Sequence, residues 1–273
     1  MDIRSILVNL DIDPAASKAL TAAIGLARKF GAELIGVAAD EPSLAMIGID
    51  GGAAAVDFYA AERTEIEKRL SAAGAAFHAA VPPDVKSQWR AYVAGPTRSL
   101  VDAARCADLI VTGSSLAGAF GTAHKVDIGE VVLSAGRPVL AVADGITEVK
   151  SDKIVIGWKD TREARRAVAD ALPFMVGAKS VVAVTLSEGD ASGERASLDD
   201  LVGWLGRHGI AARGDVVDSG DGFIDVLEST ARTYGADMLV AGGYGHSRMR
   251  EWLLGGMTRD MIGAADITRL LSN

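Results

Sequence analysis

Short apolar runs alternate with longer stretches of helical periodicity along the whole chain. The runs at 5–10, 33–39, 86–93, 109–113 and 139–143 predict strands, and the stretches at 14–29, 56–76, 97–105 and 126–135 predict the helices between them. The same order then repeats, with strands at 153–158, 180–186, 211–217, 238–242 and 267–271 and helices at 162–175, 195–207, 222–234 and 257–264. Runs such as "DLIV" and "DMLV" lack polar alternation, as strands buried on both faces do. Strand–helix alternation predicts right-handed crossovers and a parallel sheet with helices on both faces.

The two rounds are also similar residue by residue. "RSILVNLDIDPAASKAL" resembles "DKIVIGWKDTREARRAV", "GAELIGVAA" resembles "GAKSVVAVTL", and "AARCADLIVTGSS" resembles "ARTYGADMLVAGGY", in the same order in each half. A long period of this kind reads as a duplicated domain rather than a solenoid. The polar, turn-rich "ADGITEVKSD" separates the copies, giving domains at 1–146 and 151–273. The fold class is therefore α/β. It consists of two repeated Rossmann-like, doubly wound domains, each a five-stranded, mainly parallel sheet flanked by helices.

Composition narrows the function. A net charge of −8 over 273 residues gives no general pull toward nucleic acid or anionic membrane, and no apolar run is long enough to span one. The start, "MDIRSILVNLDIDP", has acids on both sides of a short apolar run, unlike a signal peptide. A single cysteine, Cys106, fits a reducing cytoplasm and is expected to be a small buried hydrophobe. His78, His124, His208 and His246 show no metal-ligand spacing.

In open sheets of this kind, ligands bind beyond the carboxyl ends of the strands, where strand order reverses. "AGGYGHSRMREWLLGGMT", residues 241–258, follows such a strand end and leads into a predicted helix. Gly242, Gly245 and Gly255 have the spacing G-x2-G-x9-G, which 31 glycines in 273 residues would produce about 0.4 times by chance. Position, not spacing, gives the pattern its weight. Glycine lets backbone N–H groups approach an anion, and a helix start at Gly255, Gly256, Met257 and Thr258 adds free N–H groups and the positive end of its dipole. The Thr258 hydroxyl can bond a phosphate or simply cap the helix. His246, Arg248, Arg250 and Arg259 make the locality basic. Tight turns beside a solvated charged face account for the same residues equally well. Neither a Walker loop nor a G-x-G-x-x-G dinucleotide motif is present.

At these residues the chain resembles a tandem universal stress protein of the UspA type, over nearly its whole length. The nucleotide-binding members carry G-x2-G-x9-G-[S/T], and "GRPVLAV" is similar to the family's last strand. The resemblance implies a stress-response role and an adenine nucleotide, ATP or AMP, with Mg²⁺ as an optional companion. It also implies a dimer supplied by the two fused halves, with a further homodimer through "TRLLSN" left open. On the first strand of the second half it points to Gly157, Trp158 and Lys159. Gly256 stands where the family has Ser or Thr. Lys159 stands where it has an acid, and an ammonium cannot accept a nucleoside hydrogen bond but can reach a phosphate. The first half keeps Asp11 and Gly113 but has Leu116 and Val126 at the other two glycine positions. One occupied site, in the second half, is the expectation.

Other readings carry less. No G-x-S-x-G elbow accompanies His246 and Ser247. Nothing is positioned to activate water, so a slow ATPase ranks below a non-catalytic role or a protein-interaction module. Asp57, Glu62, Glu65, Glu67, Lys68 and Arg69 are expected to form a solvated helix face, and residues 46–55 form a flexible loop or a lid.

Overall fold

The computed structural model describes residues 2–12, 18–43, 53–113, 124–187, 192–218, 223–243 and 267–273. Among them the first half runs β1 (Ser5–Asn9), α1 (Lys18–Phe30), β2 (Glu33–Asp40), α2 (Ala53–Ala80), β3 (Ser87–Val93), α3 (Pro96–Ala103), β4 (Leu109–Gly113), α4 (Ile128–Ser134) and β5 (Val139–Val142). The second runs β6 (Lys153–Gly157), α5 (Arg162–Met175), β7 (Ser180–Ser187), α6 (Ser192–Arg207), β8 (Ala212–Asp218), α7 (Phe223–Thr233), β9 (Met238–Gly242) and β10 (Thr268–Ser272). The strands agree with the sequence pattern to within a residue. The helix predicted at 257–264 lies outside the described residues.

All ten strands form one sheet, in the order β3-β2-β1-β4-β5-β10-β9-β6-β7-β8. Each half is a five-strand parallel set, and the two sets meet where β5 and β10 pair antiparallel, Leu140 opposite Leu270. The last strand is thus interior, held by β9 on its other side, and cannot pair with a second chain. Alternation along the strands divides the core. Ile6, Val8, Ile154 and Ile156 face α1, α2, α5 and α6 in one cluster that spans both halves. Leu7 faces α3 and α4, and Val155 faces α7, on the opposite side.

The similar sequences build the same local devices twice. Asp108, just before β4, accepts hydrogen bonds from the Arg4 and Ser5 N–H groups at 2.9 Å. Asp237, just before β9, does so from Asp152 and Lys153 at 3.2 and 3.1 Å. Gly31 and Gly177 take φ of 63° and 83° behind α1 and α5, a left-handed turn that favours glycine. Cys106 departs from expectation. It is exposed, because the chain leaves α3 through a short 3-10 turn at Ala104–Cys106 and that turn buries Ala104 instead.

The seam between the halves mixes apolar and polar contacts. Phe30 of α1 meets Phe174 of α5 edge-on at 5.3 Å, and the Lys29 ammonium lies 5.5 and 5.8 Å from the two rings. Asp170 of α5 is enclosed here, and burial pushes its carboxyl above the ordinary 3.8 against the pull of Ser272, Arg166 and Arg137. Ser272 favours the ionised form without forming a well-made bond to Asp170 Oδ2. The folded state therefore holds this proton more tightly than the unfolded one. The resulting penalty is absent below the unfolded value and fully present above the raised folded value. Asp170→Asn should raise the urea midpoint at neutral pH, and the gain should shrink as pH falls through the carboxylate range. Urea titrations at several pH values read this directly.

Candidate functional site

Strand order reverses between β6 and β9. β6 leads outward to β7 and β8, and α7 then returns the chain to β9 on β6's other side. Gly157 lies opposite Ala241 across this pair. The ends of the two strands thus bring Gly157, Trp158 and Lys159 beside Gly242. Gly245, His246, Gly255, Gly256, Met257 and Thr258 lie outside the described residues.

Two of the described glycines are accounted for by packing. A Cβ on Gly242 would lie 2.5 Å from Ala164 N and 2.6 Å from Glu163 C, so α5 sits directly on the strand end. A Cβ on Gly157 would meet Leu227 Cδ2 of α7 at 2.8 Å. The next residue, Gly243, donates its N–H to Ser272 O at 2.7 Å, and a Cβ there would meet Val132 Cγ1 of the first half at 2.7 Å. The glycine-rich segment therefore leaves its strand at the seam, against α4 of the other half.

Trp158 is buried and fully engaged. Its N–H donates to Val184 O at 2.8 Å, its carbonyl accepts from Thr185 Oγ1 at 3.1 Å, and its indole Nε1 donates to Ser197 Oγ at 3.2 Å. Lys159 is exposed, and its ammonium has no carboxylate partner among the described residues. Thr161 caps α5 by accepting from Ala164 N at 3.2 Å. Glu163, in the first turn, has its carboxyl held below its ordinary value by its own backbone N–H and by Arg162, whose guanidinium is 3.0 Å away. Sequence reasoning passed over Glu163, although a Thr cap followed by an acid in the first turn is a helix-start signal that could have drawn attention to it.

The first half has the matching strand end and a different lining. Leu10 N donates to Val37 O at 2.8 Å, as Trp158 N does to Val184 O, so Asp11 occupies the place of Lys159. Asp11 is exposed. Val126 packs half-buried against the α3–α4 cluster, while Leu116 lies outside the described residues. At the end of β2, buried Asp40 accepts from Glu41 N at 2.9 Å, and His124 Nδ1 is 2.6 Å away, with Arg69 at 3.8 Å. Ser187 holds the corresponding place at the end of β7. No His, Cys, Asp and Glu group able to hold a metal ion occurs among the described residues, and no described helix is long and apolar enough to cross a membrane.

Two parallel sets, each with a crevice where its strand order reverses, define a tandem doubly wound α/β protein. No protein-family model matches the chain, and no curated protein does. Solved structures match from end to end. A universal stress protein from Archaeoglobus fulgidus DSM 4304 matches over 100% of this chain and 97% of its own, with a TM-score of 0.68 and 18% identity. A functionally unknown protein from Pseudomonas aeruginosa PAO1 matches over 99% of this chain and 92% of its own, with a TM-score of 0.58 and 15% identity. At such identities the likeness is one of fold, and the chain has the universal stress protein fold.

Proposed function

We propose that the chain is a cytoplasmic, universal-stress-protein-like regulatory protein. Its two domains, 1–146 and 151–273, would form an internal pseudo-dimer that binds an adenine nucleotide, ATP or AMP, in the second half. The observation that carries this reading is the reversal of strand order between β6 and β9. Ligands in open α/β sheets seat at such a reversal, and the residues following β9 carry the glycine spacing and the basic side chains. In this reading the N–H groups of Gly255, Gly256, Met257 and Thr258 receive the phosphates, alone or with Mg²⁺. Gly245 gives the backbone its close approach, and His246 and Lys159 add positive charge. Glu163 offers the nucleoside a hydrogen-bond acceptor that Lys159 cannot. The role is regulatory rather than catalytic.

Isothermal titration tests it. ATP or AMP should bind saturably, and Gly255→Val with Gly256→Val should abolish binding while leaving the unfolding midpoint in place. No binding at millimolar nucleotide sinks the proposal. A second reading, a protein-interaction module, is favoured by one observation: the close approach of α5 requires glycine at 242 whether or not a ligand binds. It predicts no heat with any nucleotide.

A further inference from the structure

A groove of about 410 Å³ opens between α5 and α6 on the helix-covered face of the second half. It begins at Trp158 and Asp160 beside the end of β6 and extends along α6 from Ser197 to Arg207, roughly 15 Å at the helical rise, so that its Arg207 end lies away from the strand ends. We propose that this groove is a second small-molecule site and that it takes a planar aromatic carboxylate.

Its walls are aromatic and fixed. Trp158 lines the end near the sheet, pinned through its indole N–H to Ser197 Oγ at 3.2 Å. Trp204 lines the groove two turns of α6 beyond Ser197. It is half-buried, and the His208 ring packs against it with centroids 4.2 Å apart. Two tryptophans offer a flat partner surface to an aromatic ring, which prefers offset or edge-to-face contact with them. The volume suits one bicyclic ligand.

The lining carries two acids, Asp160 and Asp200, and two guanidiniums, Arg165 and Arg207. Arg165 is held by Asp160 at 3.0 Å, so that pair is internally balanced. Arg207 lies one turn beyond Trp204 on the same face of α6, and no carboxylate partners it among the described residues. A guanidinium at the rim, beside an indole, pairs with a carboxylate two-fold when it has no other anion. Asp200 is on the far side of Trp204, two turns from Arg207, or about 10 Å along the helix. An anion seated at Arg207 with its ring on Trp204 stays clear of it.

The groove is not a by-product of the repeat. Trp89 lies opposite Gly36 on β3, and Gly214 lies opposite Ala183 on β8, so Gly214 occupies the second-half equivalent of Trp89. In the first half that indole packs inward, 5.4 Å from Phe77, and a Cβ on Gly74 of α2 would lie 2.6 Å from its Nε1. In the second half Gly214 admits Leu198 of α6, to which a Cβ there would come within 2.7 Å. The tryptophan is carried by the helix instead and lines the groove.

Calorimetric titration of the full chain with 2-naphthoate, its uncharged amide and 2-naphthylmethylammonium tests the site. Naphthoate should bind saturably and the ammonium should not. Arg207→Gln should weaken naphthoate by about tenfold and leave the weaker naphthamide binding unchanged, whereas Trp204→Ala should weaken both. Arg207 is exposed, so its variant keeps the wild-type melting profile even if Trp204→Ala does not. Three results overturn the proposal: no saturable naphthoate binding, equal binding of the ammonium, or naphthoate affinity unaltered in Arg207→Gln. ATP titrations of Arg207→Gln should match wild type, so failure here and failure of the nucleotide reading remain distinguishable.

Discussion

Gly242→Val is expected to destabilise the protein by about 3 kcal/mol or more, because the new side chain has nowhere to go. Its Cβ alone would lie 2.5 Å from Ala164 N and 2.9 Å from Ala164 Cα. These are backbone atoms of a capped helix, so no rotamer change relieves the clash. Either α5 lifts from the sheet, disturbing Ala167, Val168 and Ala171 beneath it, or the end of β9 leaves its ladder. Urea unfolding of Gly242→Val beside the wild type checks this, and an unchanged midpoint would remove the close approach from consideration. A consequence for function follows. Lost nucleotide binding in a Gly242 variant would report disturbed packing, and only substitutions further along, at Gly255 and Gly256, can report on phosphate contacts.

Phe174→Ala is the second large effect, expected to cost about 3–5 kcal/mol. The ring is fully buried in a cluster that includes residues of both halves. It meets Phe30 edge-on and supports the Lys29 side chain, whose ammonium donates to Ser151 Oγ at 2.9 Å. Truncation leaves a cavity at the seam rather than inside one half. Because the core is continuous across β5 and β10, unfolding should remain a single transition that moves as a whole to lower denaturant. Coincident tryptophan fluorescence and far-ultraviolet circular dichroism curves check the prediction, since Trp89 reports the first half and Trp158 and Trp204 the second. Separated transitions would show that the halves unfold independently.

Strand positions were legible because "ILVN", "LIVTG", "KIVIG" and "MLVAG" are short apolar runs bounded by polar turns, and in a parallel sheet both faces of such runs are buried. The topology within each half followed from strand–helix alternation. The joining of the halves did not. Nothing in "RPVLAVAD" or "TRLLSN" says that these strands pair with each other, because an edge strand and an interior strand of this length read alike. The site was legible in part for a related reason. Glycine at the end of a buried strand is readable, but whether it serves a ligand or an approaching helix depends on a contact some eighty residues away in sequence, at Ala164. The pairing of Asp40 with His124 escaped notice for the same cause, since the 2.6 Å contact joins residues far apart in the chain.

The antiparallel seam between β5 and β10 has a consequence for how the two halves can change. An exposed β5 edge on a single copy would have to find a second molecule, and its pairing would weaken on dilution. Covalent linkage replaces that encounter with an effective concentration that dilution cannot alter. It also releases the copies from identity. In a pair of separate, identical chains every substitution appears on both sides of the axis. Here Asp11 and Lys159, Asp40 and Ser187, and Trp89 and Gly214 can each take a different course. A fused pair can let one half specialise in holding the seam while the other keeps, or acquires, a surface that meets small molecules.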